Sequence, residues 1–596
     1  MSQPGEMHPV AGGVSHHRLS RRHFLRRAAA FGLSAPAIAT IVAACGGNSP
    51  PIATSVPATL PAVATTTAPQ AANAVPPKPS ASPVALAGYL MKAPEPNPRR
   101  GGTVKTAFGV TVAHYDFHQG GGGPLVQAFD NLVCLNFADG LETIVPELAE
   151  RWEISPDNRT YTFKVRDGVK FHDGTPFGAE DIVATFSRII FPPAGIASLY
   201  QENFKAVEKV ELVDRLTMRF VLKYPWAPFL AALTPVNMVI YSKKTLEENG
   251  NDLRKVIAPG TGAFVYKEYK TAERWVFERN PSYWNPNLPY VDRLEMLHVP
   301  AWTDRGTAVL TGQADFSWNV SMETHQEGER RKDEVGTRVL PHFGAAYHVE
   351  INNQRKPFSD PRIRRAIHLA VSRQNLIGAY AKQEFITMDR WVSHANKYAM
   401  PIEEIQKLPG YRPDKKEDIA AAKKLMAEAG FPDGFEAELM SADVAPHSQI
   451  MAPAFQDQLK RTINIRTTIK VLERSLLTNA LSKGEYDMQL GTSYGSDIPD
   501  PELMWSLALA TGASQNWSKY SNPKFDQLLD RLRTEIDDQA RQRLVQEGLQ
   551  LLDDDPPFYM MGFADHLPMW RKPVHGLVAN WKYTQWGRMP TIWLDQ

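Results

Sequence analysis

The chain lacks an excess of charge of either sign. It carries 66 Lys and Arg against 65 Asp and Glu in 596 residues. Without residues 1–44 the balance is 61 against 64, which is a net charge of −3. A near-neutral body offers no basic surface to a phosphate backbone, so nucleic acid is not an expected partner.

Cysteine is scarce, because the chain contains only Cys45 and Cys134. Cys134 lies in the apolar run Leu132–Leu135, where burial as a small hydrophobic side chain is expected. If Cys45 has another use, no intramolecular disulfide can form. A hydrophobic content of 43% with 13 Trp supports a large globular core, and the length suggests about three domains.

A long uninterrupted apolar segment is missing near the N-terminus. Ala28–Ala44 has only about 17 residues, where a transmembrane helix needs roughly 20, and Pro36 interrupts it. The preceding segment Ser20–Arg26 (SRRHFLR) has the form of a twin-arginine export signal. We therefore interpret residues 1–44 as a cleaved signal peptide.

The segment behind the signal predicts an anchor and a tether. Val42–Cys45 resembles a lipobox, in which the Cys45 thiol becomes a lipid thioether and Cys45 becomes the new N-terminus. Residues 45–98 are rich in Pro, Ala, Thr, Val and Ser, so they cannot bury a core and are expected to be disordered. At ~3.1 Å per residue such a tether reaches up to ~150 Å. The expected location is extracytoplasmic, lipid-anchored to the outer face of the cell membrane, or periplasmic.

The segment Pro146–Asp181 contains readable elements of a fold. Apolar and polar side chains alternate from Tyr161 to Arg166, as in a strand with one buried face. The pair Asp167-Gly168 predicts a two-residue hairpin, and Asp173-Gly174 predicts a second turn. A helix is expected to start at Ala179–Val183.

A helix is also predicted near residues 414–430. Asp414 and Glu417 form a D-x-x-E cap, Gly430 ends the segment, and we expect the apolar stripe to pack on a sheet. The stripe consists of Ile419, Ala422, Leu425, Met426 and Ala429. Because short strand patterns alternate with helices throughout, the fold class is α/β.

Taken as a whole, Pro146–Asp181 resembles the signature region of the extracellular solute-binding proteins of family 5, the oligopeptide- and dipeptide-binding subunits of ABC importers. About two dozen positions match P-x-L-A-x-x-W followed by Y-T-F-x-L-R-x-G-V-K-F-H-D-G-x-P-F-x-A-x-D-V. The resemblance continues over nearly all of the chain after residue 99. Further matching segments are Pro259–Phe264, Arg279–Trp284, Gly312–Phe316, Asn352–Ala366, Leu425–Gly434, Gly484–Met488 and Asn522–Asp526.

The resemblance implies a bilobed, periplasmic-binding-protein-like α/β fold of type II, of the large three-subdomain kind. Lobe I would comprise residues 99–348 and 562–596 with an extra subdomain, and lobe II residues 349–561. The chain would cross between the lobes twice, near Tyr347–Asn352 and Phe558–Phe563. The last segment, with Val574 and Gly576, would return to lobe I, and a ligand would be clamped between the lobes.

The resemblance also points to an anchoring carboxylate. In peptide-binding members, the Asp three positions before an Asp-Pro pair receives the ligand's α-ammonium, which corresponds here to Asp497 before Asp500-Pro501. An ionised carboxylate suits an ammonium because charge-assisted hydrogen bonds are strong. A turn or cap role for Asp497 is the alternative. Thr492 replaces the usual Trp of this segment.

Aromatic side chains near these landmarks form a second set of candidates. Trp faces can stack on sugar rings or cover apolar side chains, although each of these residues could equally belong to the core. Arg390 could bind a ligand carboxylate bidentately or form a surface ion pair. The aromatic candidates are Tyr494, Trp505, Trp517, Trp391 and Trp318.

The segment His114–His118 invites a metal interpretation, since two His at i and i+4 share a helix face. Two nitrogens and the Asp116 carboxylate would be an incomplete site, and Gly120–Gly123 disfavours a continuing helix. We expect no metal and no cofactor. His114 is kept as a ligand-binding candidate because the segment lies where family members carry an early ligand-facing loop.

These expectations describe a monomeric, lipid-anchored receptor that captures a solute and delivers it to an ABC permease and ATPase, without making or breaking a bond. The expected ligand is a peptide, with an oligosaccharide as the alternative. Nickel, haem and opines remain open because the fold does not determine the ligand. A surface hydrolase would need a nucleophile with its base or a carboxylate pair, and a structural or sensory surface protein would lack transport partners.

Overall fold

The computed structural model describes residues 97–109, 111–136, 143–340, 346–382, 384–443, 447–491, 500–577 and 587–595. The predicted signal peptide, the proposed lipid-bearing Cys45 and the tether lie outside these residues. Within the described ranges, none of the helices combines the length and the apolar character needed to span a bilayer.

A seven-stranded sheet forms the centre of what we call lobe I, the described residues 97–340 and 566–595. Its central strand, Thr103–Phe108, runs parallel to both of its neighbours, and the outer strands are antiparallel. In spatial order the strands are Val335–Thr337, Met569–Arg571, Phe316–Ser317, Thr103–Phe108, Arg293–His298, Arg274–Arg279 and Phe264–Lys270.

Lobe I carries a second sheet of four antiparallel strands, which we call the small sheet. Two further strand pairs, Val133–Leu135 with Ile144–Pro146 and Val574–His575 with Trp593–Leu594, complete the lobe. The strands of the small sheet, in spatial order, are Ala149–Ile154, Thr160–Val165, Thr217–Leu222 and Val207–Asp214.

Lobe II, residues 346–565, is built on a six-stranded mixed sheet. Ala346–Ile351 enters the sheet at its centre and pairs antiparallel with Phe558–Asp565, the last strand of the lobe. The spatial order is Phe385–Thr387, Phe558–Asp565, Ala346–Ile351, Met488–Gly491, Phe435–Ala442 and Ile465–Leu472.

Helices cover these sheets. Those of lobe I are Ala179–Ile190, Phe229–Ala232, Lys243–Glu248, Trp302–Leu310 and Met322–Arg330. Those of lobe II are Pro361–Ala370, Arg373–Tyr380, Ile402–Ile405, Lys416–Glu428, Ala452–Ile463, Arg474–Lys483, Pro501–Ala508, Pro523–Thr534 and Asp538–Asp554.

The chain enters and leaves lobe II side by side. Leu340 and His566 exchange two backbone hydrogen bonds of 2.9 and 2.8 Å just outside the two central strands of lobe II. Beyond His566 the chain returns to lobe I, where Val574 and Trp593 join the core under the seven-stranded sheet.

The signature segment folds largely as its pattern predicts. Thr160–Val165 is a strand in which every second side chain is buried, and Ala179–Ile190 is a helix. The Asp173-Gly174 turn is confirmed, with Gly174 at φ +86° and the Phe171 amide donating to the Thr175 carbonyl at 2.9 Å.

The predicted hairpin at Asp167-Gly168 is wrong. The chain does turn there, with Gly168 at φ +78°. However, Thr160–Val165 pairs with Ala149–Ile154 and Thr217–Leu222 on its two sides, so no edge is left for the segment after the turn. An Asp-Gly pair determines the local turn, whereas the pairing partners are determined by the sheet as a whole.

The helix predicted near 414–430 is confirmed as Lys416–Glu428, and Gly430 follows it at φ +89°. Its surroundings differ from the prediction, since its main neighbour is the helix Pro361–Ala370 rather than a sheet. The cap is also only partial: Asp414 accepts from the Lys416 amide at 3.0 Å, while Glu417 pairs with Arg412.

Two of the recognised motifs converge on one buried carboxylate, Asp130, which is 1% exposed. It accepts hydrogen bonds from Thr261 Oγ1 (3.1 Å), Tyr283 OH (3.3 Å) and Trp284 Nε1 (3.1 Å). Gly260, beside Thr261, is required because a Cβ there would lie 1.9 Å from the Ala128 carbonyl oxygen. These motifs therefore hold lobe I together.

Candidate ligand-binding cleft

A cleft of about 520 Å³ lies between the small-sheet side of lobe I and lobe II. Its volume falls within the range of about 300–1,000 Å³ that is usual for small-molecule sites. Lobe I contributes apolar side chains, whereas lobe II contributes mostly charged and polar ones. The lobe I lining includes Leu135, Ile144, Ile154, Tyr161 and Leu230, and the lobe II lining includes His394, Lys397, Tyr398, Asp500, Ile536, Asp538 and Arg541.

The lobe I wall follows from the alternation within the small sheet. Tyr161 is a buried-face residue of Thr160–Val165, and its ring packs on Phe229 with centroids 4.5 Å apart. Phe229 opens the short helix that carries Leu230 into the cleft. The apolar face of the sheet thus continues to the cleft surface.

On the lobe II side, His394 is held between two buried carboxylates. Its Nδ1 lies 2.7 Å from Asp389 Oδ2 and its Nε2 lies 3.3 Å from Asp565 Oδ1. Burial opposes a charge on this ring, but the hydrogen bond to Asp389 and the charges of Asp389 and Asp565 outweigh it and raise the pKa of His394 to about 10. His394 is therefore an imidazolium at neutral pH.

This imidazolium links the cleft to the interlobe crossing. Asp565 is the last residue of the strand Phe558–Asp565, after which the chain passes to lobe I. Thr387 Oγ1 also donates to Asp565, at 2.5 Å. The segment that lines the cleft from His394 to Tyr398 is thus fixed to the end of a crossing strand.

Asp500 begins the helix Pro501–Ala508 and closes the far end of the lobe II wall. Its Oδ1 accepts from the Glu502 amide at 2.9 Å as the helix N-cap. Arg541 binds both carboxylate oxygens, at 2.9 and 2.7 Å. Burial raises the pKa of Asp500, and the charge of Arg541 acts against that rise.

The ion pair of Arg541 is extended by a phenol. Arg541 Nε donates to Tyr398 OH at 3.2 Å, and Tyr398 OH donates to Asp538 Oδ1 at 2.8 Å. Asp538 also binds Lys397. Each cation in this part of the wall is consequently neutralised by a carboxylate.

Beside the cleft the two lobes touch directly, at the helix that starts with Asp500. Glu502 Oε2 accepts from Trp226 Nε1 of lobe I at 3.3 Å, and Glu502 Oε1 binds Arg533 Nε at 3.0 Å. The Ala227 amide donates to the Arg533 carbonyl at 3.1 Å. Leu503, 4% exposed, packs into the core of the small sheet. Because these contacts join the two lobes, they can form only when the lobes lie close together.

Two predicted site residues, Asp497 and Tyr494, lie in 492–499, outside the described residues. The flanking described residues are Gly491, at the end of a central lobe II strand, and Asp500, on the cleft wall. The expectation that Asp497 binds the ligand therefore stays a prediction.

Three predicted residues lie in the core of lobe II instead of on an accessible surface. Trp391 and Trp505 are both 0% exposed, and Trp505 Nε1 donates to the Trp391 carbonyl at 3.1 Å. Arg390 binds Asp553 at 2.7 Å, with both side chains almost fully buried. Trp391 Nε1 donates to the same carboxylate at 2.9 Å. All three side chains are thus packed behind the cleft wall, and the Arg390 pair is a buried one, not a surface pair.

Trp517 and Trp318 do not line the cleft described above. Trp517 is half-buried, and its carbonyl accepts a hydrogen bond from the Tyr486 hydroxyl. Trp318 is 5% exposed and packs edge-on against Phe316 in the core of lobe I. Their predicted stacking on a ligand is therefore not supported by their surroundings.

The His114–His118 segment is organised around a buried cation. Arg188 binds the Asp116 carboxylate, and its Nη1 lies 2.8 Å from His118 Nδ1. His118 Nε2 lies 3.1 Å from the Val239 carbonyl, and burial lowers the pKa of His118 to about 3. Among the described residues no group of three or more His, Cys, Asp or Glu could hold a metal ion.

His114 itself is half-buried and serves the local turn. Its Nδ1 accepts from the Asp116 amide at 3.3 Å, and its carbonyl accepts from the Gly122 amide at 3.0 Å. A Cβ on Gly121 would lie 2.2 Å from His114 Nδ1, so this loop needs glycine there. His114 is not part of the cleft lining described above.

Sequence reasoning did not single out His394, Tyr398 or Arg541. A partial signal existed for His394, since the candidate pair Arg390-Trp391 lies just before it in the chain. Arg541 lies within a helix rich in charged residues, where no spacing distinguishes it from its exposed neighbours. Its role follows only from the packing of that helix against Asp500.

The profile of the family described as bacterial extracellular solute-binding proteins, family 5 Middle, matches residues 143–515, which is more than half of the chain. The matched region includes the signature segment, the part of the lobe II wall from His394 to Asp500, and the helix Pro501–Ala508.

Individual proteins agree with this profile. Heme-binding protein A of Haemophilus influenzae is 29% identical over 483 residues, covering 74% of this chain and 83% of the relative. Di/tripeptide-binding protein 2 of Pseudomonas aeruginosa is 26% identical over 468 residues, covering 74% and 85%. The periplasmic binding protein DppA from Helicobacter pylori, solved with the peptide STSA, superposes with a TM-score of 0.69 at 24% identity and covers 84% of this chain and 99% of that chain. The expected bilobed α/β fold is confirmed.

Proposed function

The chain belongs to the bacterial extracellular solute-binding proteins of family 5, and from this premise we propose that it is the receptor subunit of an ABC importer. It captures a peptide between its lobes and presents it to a membrane permease. The observation that carries the proposal is the cleft itself, because both lobes supply its walls and a ligand bound there would hold them together.

A peptide suits this cleft better than an oligosaccharide. Sugar rings need exposed aromatic faces for stacking. Trp391 and Trp505, which were candidates for that role, are fully buried, and the two tyrosines of the lining, Tyr161 and Tyr398, are 4% and 3% exposed. A peptide needs apolar surface for side chains and polar groups for its backbone, and the cleft offers one on each wall.

The charged groups of the cleft favour binding over catalysis. A hydrolase needs a carboxylate that can act as a nucleophile or transfer a proton. Asp500 is held by Arg541 and caps a helix, and Asp538 is held by Lys397 and Tyr398. These pairs maintain the shape of the wall, so we propose a receptor that returns its ligand unchanged.

Two of the relatives are named for different ligands. The relative from Haemophilus influenzae is named for haem, and the one from Pseudomonas aeruginosa for di- and tripeptides. A second candidate ligand is therefore haem. The chemistry of the cleft favours the peptide, because haem ligation commonly uses a neutral His, while His394 is charged and both of its nitrogens are engaged.

We further propose that Asp497 receives the ligand's α-ammonium. The test is isothermal titration of short peptides, with free or acetylated N-termini, into the chain and into Asp497→Ala. Acetylation and the substitution should each weaken binding by roughly 10–150-fold, as for a hydrogen bond to a charged group, and together by little more. Asp457→Ala, which removes a half-exposed carboxylate on an outer helix, should change nothing. Additive losses would contradict this role, and failure of all peptides to bind would contradict the peptide receptor.

Lipid anchoring at Cys45 completes the proposal. Residues 45–98 would tether the two lobes to the membrane surface, next to the permease. Cys45→Ala should move the protein from the membrane fraction to the soluble extracytoplasmic fraction, as judged by fractionation and by the mass of a lipidated N-terminal peptide. A membrane-bound Cys45→Ala variant would contradict the anchor.

A further inference from the structure

Large apolar side chains face the cleft although they are accessible to solvent. Ile154 of the small sheet is 42% exposed, and Ile536 of lobe II is 45% exposed. Both line the cleft, together with the half-buried Ile144 and Leu230. Exposed apolar surface that is gathered in one concavity is costly in water and marks a place that a ligand covers.

The cations beside this apolar surface are each paired with a carboxylate. Arg541 is paired with Asp500 and Lys397 with Asp538, and His394 lies between two carboxylates. A ligand carboxylate entering here would lose water and would find no unpaired cation among these groups. A ligand cation would find Asp389 and Asp565 buried and already in contact with His394. Desolvation without a new partner is unfavourable, so the wall disfavours Glu, Asp, Lys and Arg side chains.

We infer that this cleft is a side-chain pocket that selects peptides carrying a large apolar residue, an inference that rests on the proposed function. Ile144, Ile154 and Leu230 of lobe I and Ile536 of lobe II cover the side chain from both lobes. The volume of about 520 Å³ leaves room for a Leu or Phe side chain and part of the backbone. The contacts that select the ligand side chain are then the same contacts that hold the two lobes together.

The expected preference follows from the buried apolar area. Covering a Leu or Phe side chain should tighten binding by about 10–150-fold over Ala at the same peptide position. Peptides with Glu or Lys at that position should bind more weakly than those with Ala. Their charged side chains would lose water next to the isoleucines and to ion pairs whose partners are already engaged.

The experiment is a competition titration on the full chain. The probes are alanine tetrapeptides in which one position at a time carries Leu, Phe, Glu or Lys. At one position Leu and Phe should exceed Ala by at least tenfold, and Ile154→Glu and Ile536→Glu should abolish that preference. Ile536→Lys should reverse it in favour of Glu, a gain that a misfolded variant cannot show.

Matched controls separate the pocket from surface polarity in general. Leu212 is 51% exposed on the small sheet but does not line the cleft, so Leu212→Glu should keep the wild-type preference. Peptides that bind equally well with Ala, Leu and Glu at every position would overturn the pocket and leave the peptide receptor intact. A preference that survives both isoleucine variants would place selection elsewhere and overturn the inference. If no tetrapeptide binds, the proposed function fails together with it.

Discussion

Leu503 belongs to lobe II but is buried in the core of the small sheet of lobe I, so Leu503→Ala should weaken the contact between the lobes. The side chain is 4% exposed and lies on the helix Pro501–Ala508. When the lobes separate, this side chain must leave the apolar core and enter water. Its burial therefore contributes to the closed arrangement and not to the folding of lobe II.

The size of the effect follows from the atoms removed. Leu503→Ala deletes three carbon atoms, each worth about 0.8 kcal/mol when buried, which gives roughly 2.4 kcal/mol. That free energy corresponds to about a 50-fold shift of the closing equilibrium toward the open form. If binding requires closure, the ligand dissociation constant should rise by up to the same factor.

Pulsed electron paramagnetic resonance can measure the effect directly. Nitroxide labels at Leu212→Cys in lobe I and Leu476→Cys in lobe II replace side chains that are 51% and 57% exposed, and Cys134 is buried. Leu503→Ala should shift the distance distribution toward the open form and weaken ligand binding, with little change in the Tm of the ligand-free protein. The control is Met504→Ala, on the same helix but in the core of lobe II, which should lower the Tm without moving the distance distribution.

One pattern of results would show that the lobes do not separate at Leu503. If Leu503→Ala leaves the distances and the affinity within twofold of the wild type, but lowers the Tm as much as Met504→Ala does, then the contact is a permanent part of the fold and the lobes do not separate there.

Two further predictions concern buried charges. The pKa of His394 is raised from 6.5 to about 10 on folding, so its stabilising contribution is complete below about pH 6.5 and is lost as pH rises toward 10. In thermal unfolding, the Tm of His394→Gln should therefore fall less between pH 7 and 10 than the Tm of the wild type. Equal changes of Tm with pH would contradict the imidazolium. Asp553→Asn should lower the free energy of unfolding by about 3–5 kcal/mol, because it leaves Arg390 buried without its counter-charge. The control Asp554→Asn, at a neighbouring side chain that is 60% exposed, should change the free energy of unfolding by no more than about 0.5 kcal/mol. Equal denaturation midpoints for the two variants would contradict the role of Asp553.

Local pattern predicted the fold where the pattern is itself the cause of the structure. The alternation in Thr160–Val165 and the glycine after Lys416–Glu428 act over a few residues, and both elements form as expected. The same local patterns do not predict which elements pack next to these two. Pairing partners and helix neighbours are determined by distant segments, so the Asp167-Gly168 turn did not produce a hairpin and the helix packs on another helix.

The site was predictable at the level of segments but not of side chains. The segment after Arg390, from His394 to Tyr398, and Asp500 of the Asp-Pro pair do line the cleft. Yet Trp391 and Trp505 are buried in the core, while His394 and Tyr398 line the cleft. Contacts with residues distant along the chain, such as that of Trp391 with Asp553 and that of His394 with Asp565, determine these orientations. Arg541 enters the site from a helix that is distant along the chain, which no local motif can reveal.

The central claim, that the chain captures a peptide and returns it unchanged, is tested most directly by native mass spectrometry of residues 99–596 as purified and after mixing with a defined peptide library. We expect one peptide per protein, enriched in large apolar residues and released at its original mass. The Asp497→Ala variant should not retain this peptide. Peptides recovered as fragments, or a bound species with the mass of haem or with hexose spacings, would contradict it.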